Sequence, residues 1–138
     1  MTHTPAAVTV EQLADAWRVQ LSDDLGHQWL SDEPESVGGR NTATTPDRMA
    51  LGALGACTAI TLRMYAQRKG WPLTGVHVDL QLNPGGKPAA GAPNEIARVI
   101  RLEGPLDAGQ RARLLEIADA CPIHKLLTGE VRISTTGQ

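Results

Sequence analysis

The stretch Thr44–Gly70, TTPDRMALGALGACTAITLRMYAQRKG, decides the fold. From Met49 to Leu62 it carries no charge, and Cys57 sits in the middle of that run. Its ends obey helix rules. Thr45 suits the N-cap, Pro46 the first helical position, and Asp47 the positive end of the helix dipole. Arg68 and Lys69 suit the last turn, Gly70 the position beyond it, and Pro72 a stop. The first half is apolar all round, which predicts a helix buried on every side. The uncharged run is too short to span a bilayer, and its glycines point to a protein core. Gly52, Ala53, Gly55 and Ala56 are small enough for another helix or a partner subunit to approach closely. A chain of this size cannot cover so large an uncharged surface alone, so a homodimer is expected.

Working outward toward the N-terminus, EPESVGGRNTATT is a loop by composition. HQWLSD and DAWRVQL read as two strands of a hairpin around the turn SDDLG. Trp17, Val19 and Leu21 alternate with Arg18 and Gln20. TVEQ, Thr9 to Gln12, is predicted to cap a short helical turn. Toward the C-terminus, VHVDLQL (residues 76–82) alternates strictly, as a half-buried strand does. NPGGKPAAGAPN is a long hairpin loop and EIARVIRLEG the returning strand. Asp107 and Gln110 form a capping box for a second helix, expected to run to about Ala120. Leu114, Ile117, Ala118 and Cys121 share one face of it. Pro122 interrupts it, PIHKLLTG forms a short helix ending at Gly129, and EVRIST is a final strand. This order predicts an α+β protein, with helices packed on largely antiparallel sheet, in one domain spanning residues 1–138.

Composition excludes several functions. A net charge of −2 offers no electrostatic footprint for nucleic acid or an anionic membrane surface. With 3% aromatic residues and no Phe, a base-stacking platform is not expected. The N-terminus lacks the basic flank and apolar run of a signal peptide. Two cysteines far apart do not make a secreted disulfide framework, so a reducing, cytoplasmic setting is expected.

The cysteines differ in their local settings. Cys57 lies mid-helix among apolar residues, where burial raises a thiol pKa and packing alone would explain a small side chain. Cys121 precedes Pro122 and so caps the short helix, where backbone N–H groups and the dipole favour a thiolate. His124 and Lys125 could add positive charge. By local sequence Cys121 is thus the better-activated thiol. Neither cysteine belongs to a CxxC pair and no fourth ligand is evident beside Cys57, Cys121 and His124, so no metal site is predicted.

GGRNTATTPDRMALGALGACTAITLRMYAQRKGWPL, followed by ACPIHKLLTGEVRI, resembles the OsmC/Ohr superfamily, the osmotically inducible and organic hydroperoxide resistance proteins. The resemblance covers roughly Trp17 to Ser134. It rests on the cysteine in the small-residue helix and on the Cys-Pro at the end of the second helix, and it is nearest to the general OsmC-like branch. It implies an intertwined homodimer with active sites at the subunit interface. It also implies a thiol peroxidase for organic hydroperoxides that uses no metal or flavin and is recycled by an external dithiol of dihydrolipoyl type. Cys57 matches the peroxidatic cysteine and Cys121 the resolving one. In the family an arginine held by a carboxylate activates the first thiol. Asp47 occupies the carboxylate position, where glutamate is usual. Arg40 is the first choice for the cation and Arg18 the second.

Two other classes stay open. One is a non-catalytic OsmC-like binding or redox-sensing protein with an apolar pocket. The other is a hydrolase or transferase using Cys57 with His124 as base.

Overall fold

The structure, a computed structural model, describes residues 4–138. The chain forms two compact units, the boundary falling after Ala50.

The first unit is an antiparallel meander of β1 (Val8–Gln12), β2 (Val19–Asp23) and β3 (Gln28–Ser31), in the order β1-β2-β3. The segment Thr9 to Gln12 is therefore a strand and not a helical turn. Val8 and Val10 are β-branched, and β1 pairs in full register with β2, Val10 opposite Leu21. That ladder satisfies the backbone better than one isolated turn could. Leu21 is buried and lies opposite Trp29 on β3. Asp23 closes the β2–β3 turn by accepting from the backbone N–H groups of Leu25 and His27, both at 2.9 Å. The following loop is organised by the buried Asp32, whose carboxylate accepts from Glu33 N–H at 2.8 Å, Thr42 N–H at 3.0 Å and the Thr42 hydroxyl at 2.7 Å. Gly39 is required there, because a Cβ would lie 2.0 Å from the Glu33 carbonyl oxygen.

The long helix α1 (Pro46–Lys69) has the expected bounds and carries the chain into the second unit. There follow β4 (Gly75–Leu82), β5 (Ile96–Glu103), α2 (Ala108–Ile117), a 3-10 turn over Ala118–Ala120, and α3 (Pro122–Thr128). β4 and β5 form an antiparallel hairpin with Val76 opposite Leu102, Val78 opposite Ile100 and Leu80 opposite Arg98. The capping box of α2 is present, with Asp107 accepting from Gln110 N–H at 2.7 Å and the Gln110 side chain accepting from Asp107 N–H at 3.0 Å. Leu62 and Ala66 of α1 meet Leu73, Leu106, Leu114 and Ala118 in the core, with Val76, Ile100 and Leu102 of the hairpin packed against them. Leu62 and Leu114 are fully buried, so truncating either to Ala costs about 2–5 kcal/mol.

Two expectations fail here for one reason. Within the chain α1 buries Leu54, Gly55, Thr58, Leu62 and Ala66, while Ile60 and Met64 stay exposed. The helix is thus buried on one face, not all round. The predicted strand EVRIST also does not form, since residues 130–138 have no regular structure and Ile133 is 86% exposed. A strand needs a ladder partner and an apolar face needs a cover. Among the described residues neither is supplied. By length and composition α1 could cross a membrane, while Leu62 and Ala66 are seated in the core of the second unit.

Candidate active site: a dithiol between α1 and α3

The second unit brings Cys57 and Cys121 close enough to shift each other's pKa, and no disulfide joins them. Cys57 is held by the fourth turn of α1, and Cys121 caps α3. Gly55, two residues before Cys57, packs against the Leu80 side chain of β4. A Cβ at Gly55 would lie 2.8 Å from Leu80 Cδ1. Cys121 is fully buried, whereas Cys57 is half-buried.

The electrostatics reverse the order that local sequence suggests. Burial works to raise the Cys57 thiol, but hydrogen bonds from the Cys121 thiol, the Ile123 N–H and the Thr61 hydroxyl outweigh it, and its pKa is lowered. The Thr61 hydroxyl lies 4.0 Å from Cys57 Sγ. For Cys121, burial raises the pKa, and so does the role of donor to Cys57; the N–H groups of His124 and Ile123 oppose this without overcoming it. The His124 N–H lies 3.4 Å from Cys121 Sγ. The reason for the reversal is tertiary. The opening N–H groups of α3 act on both sulfurs, and the Cys121 thiol acts on Cys57.

A second cluster borders the dithiol. Arg98 Nη1 donates to Thr58 Oγ1 at 3.1 Å, and Nη2 donates to Asp119 Oδ1 at 2.9 Å and to His124 Nδ1 at 3.2 Å. A guanidinium has no acceptor, so in this bond His124 Nδ1 accepts. The His124 ring is thus engaged by Arg98 and not by a thiol, and Asp119 Oδ1 lies 3.7 Å from the same nitrogen. Lys125 is exposed. Arg98 was missed in the sequence, although a signal existed. In β5 it shares the inward-facing set with Ile100 and Leu102, and a charge at such a position needs partners.

Beside Arg98 lies a cavity of about 360 Å³, lined by the apolar side chains of Leu54, Ile96 and Leu127 and by Asn94, Arg98, His124 and Thr128. Among the described residues no group of three or more His, Cys, Asp or Glu side chains is arranged to hold a metal.

Arg40, Asp47 and Arg18 belong to the first unit. The Arg40 side chain is exposed, and its backbone N–H is one of the donors to Asp32. That carboxyl is lowered to about 2, since the bonds from Thr42, Glu33 and Arg40 overcome burial. Asp47 accepts from the Thr45 hydroxyl and from Arg48 N–H at 2.9 Å. The bond from Thr45 is the main cause of its lowered pKa, against a smaller effect of burial. Thr45 therefore spends its proton on Asp47, while its oxygen accepts from Arg48 Nη1 at 2.9 Å. Arg18 pairs with Asp15 at 2.9 Å, and its buried Nε has no partner among the described residues.

The sequence model of the OsmC-like protein family matches residues 39–136. The fold is similar to several crystal structures. For the OsmC-like protein of Mycoplasma pneumoniae the TM-score is 0.77 at 18% identity, covering 93% of this chain and 90% of that one. For an organic hydroperoxide resistance protein OsmC of Legionella pneumophila it is 0.67 at 16% identity, covering 94% and 93%. For the organic hydroperoxide resistance protein OhrB of Bacillus subtilis it is 0.61 at 19% identity, covering 91% and 92%. At these identities the likeness establishes the fold. No curated protein matches the sequence.

Proposed function

Because the chain belongs to the OsmC-like protein family, we propose that it is a thiol-dependent peroxidase reducing organic hydroperoxides through Cys57 and Cys121. The observation that carries the reading is the closeness of the two thiols, which lets the Cys121 thiol lower the Cys57 pKa. It lowers the pKa of one thiol and sets a second thiol, with a raised pKa, beside it. Both are what a two-cysteine peroxidase needs. The names of the Legionella and Bacillus proteins point the same way.

The Cys57 thiolate attacks the peroxide oxygen that ends as its sulfenic acid. The O–O bond breaks and the alkoxide leaves as the alcohol, taking a proton. Cys121 then attacks the Cys57 sulfur, the S–S bond forms and water leaves. An external dithiol, of dihydrolipoyl type, restores both thiols by exchange. No cofactor is required. The apolar part of the cavity, Leu54, Ile96 and Leu127, suits a carbon tail, which gains about 25 cal/mol for each Å² removed from water. Arg40, with Arg18 as second choice, and Asp47 are the proposed cation and carboxylate assisting Cys57. The exposed apolar side chains of α1 and the unpaired 130–138 segment support a homodimer as the working unit. The proposed setting is the cytoplasm, where both thiols stay reduced between turnovers. A binding or sensing protein is the alternative, and it would leave the two thiols inert to hydroperoxide.

A stoichiometric pulse of cumene hydroperoxide, followed by mass spectrometry, tests this. Wild type should lose two protons to a Cys57–Cys121 disulfide. Cys121→Ser should gain oxygen on Cys57, and Cys57→Ser should consume no peroxide. Oxygen on Cys121 in Cys57→Ser at the wild-type rate would reverse the roles. No reaction in any of the three would leave the binding reading in place.

A further inference from the structure

The two cysteines ride on segments that apolar packing holds unequally. α1 is seated in the core through Leu62 and Ala66, whereas α3 buries none of its side chains. Something other than a packed face must hold the α3 cap against α1. Arg98 bonds to both sides of the dithiol. On the α1 side it donates to Thr58, the neighbour of Cys57, at 3.1 Å. Thr58 is fully buried and donates in turn to the Leu54 carbonyl at 2.7 Å, which fixes its hydroxyl as an acceptor for Arg98. On the other side Arg98 donates to Asp119, two residues before Cys121, at 2.9 Å, and to His124, three residues after it, at 3.2 Å. The side chain of Arg98 is only 13% exposed, and its bonds to Thr58 and His124 are part-buried while the Asp119 end reaches solvent.

We propose that Arg98 is a positioning residue, a rigid fork that sets the spacing between Cys57 and Cys121 and thereby the ease with which they join. The planar guanidinium reaches three acceptors in fixed directions, which an ammonium cannot do. The proposal rests on the peroxidase reading only for the source of the oxidised Cys57. When Cys57 is a sulfenic acid, the Cys121 sulfur must attack it. The S–S bond forms, the S–O bond breaks, and the hydroxide leaves as water with the Cys121 proton. That attack requires the contact Arg98 maintains.

The test is the thiol–disulfide equilibrium of the full-length protein in buffers of reduced and oxidised dithiothreitol. The Cys57–Cys121 disulfide is counted by alkylation and mass spectrometry, so no peroxide is needed. Arg98→Met should lower the disulfide equilibrium constant about tenfold, a potential about 30 mV less negative. Arg98→Lys should fall between it and wild type. Asp119→Asn alters a side chain 69% exposed, leaves the fold intact, and should lower the constant about threefold. It stands as the deciding variant if Arg98→Met does not fold. An unchanged constant in Asp119→Asn together with an unchanged constant in any folded Arg98 variant would overturn the proposal, even if the protein reduces hydroperoxides. A shifted constant would uphold it even if wild type ignores cumene hydroperoxide, which would count against the peroxidase reading alone.

Discussion

Removing the Cys121 proton should blunt Cys57 before any peroxide is present. Three groups lower the Cys57 pKa: the Cys121 thiol, the Ile123 N–H and the Thr61 hydroxyl, 4.0 Å from the sulfur. Burial acts against all three. A hydrogen bond to a charged group is worth about 1.5–3 kcal/mol, and a thiol is a weak donor, so the low end applies. About 1.5 kcal/mol is roughly a tenfold loss of thiolate at a pH below its pKa. Part of this returns, because a more basic thiolate is about threefold more nucleophilic. Cys121→Ala should therefore slow alkylation of Cys57 by iodoacetamide roughly three- to fourfold near neutral pH, and its rate–pH curve should move to higher pH. Cys121→Ser retains an O–H donor and should lie closer to wild type. The assay is the alkylation rate against pH on fully reduced protein, with Cys57 followed by peptide mass. A Cys57 in Cys121→Ala that titrates at or below the wild-type pH would refute the reasoning. So would Ala and Ser variants that cannot be told apart.

Asp47→Glu should leave hydroperoxide turnover unchanged or raised. Asp47→Ala should lower turnover and cost about 0.5 kcal/mol in urea denaturation; if neither changes, Asp47 is only a first-turn helix residue. Asp32 links stability to acid. Its folded carboxyl lies at about 2 against an ordinary 3.8, so on acidification the unfolded chain takes up the proton first. Its contribution is complete above the ordinary value and drains away as the pH falls toward about 2. Urea midpoints measured across that window should decline in wild type and decline less in Asp32→Asn; parallel profiles would exclude the linkage. Light scattering should find a homodimer, and a folded monomer at micromolar concentration would remove the dimer from the proposal.

The local devices were legible in the sequence because each is written in adjacent residues. Pro46 and Gly70 bound α1, Asp107 and Gln110 box the start of α2, and Pro122 forces a break after Cys121. The alternation in 76–82 and in β5 marked the hairpin, since side chains two apart share a face of a strand. Elements that depend on a partner were not legible. Val8 and Val10 formed a strand only because β2 lay alongside. EVRIST carries the alternation of a strand and forms none, for want of a neighbour. The family resemblance, read from the two cysteines and their surroundings, agrees with the match over residues 39–136. The chemistry of the pair was another matter. Taken along the chain, Cys121 sits at the favourable end of a helix and Cys57 in an apolar run. Only the folded second unit carries the Ile123 N–H and the Cys121 thiol to Cys57 and sets Arg98 between Thr58, Asp119 and His124. A thiol pKa is decided by what lies within a few ångströms, and for Cys57 two of those neighbours, Cys121 and Ile123, come from a part of the chain that sequence order keeps far away.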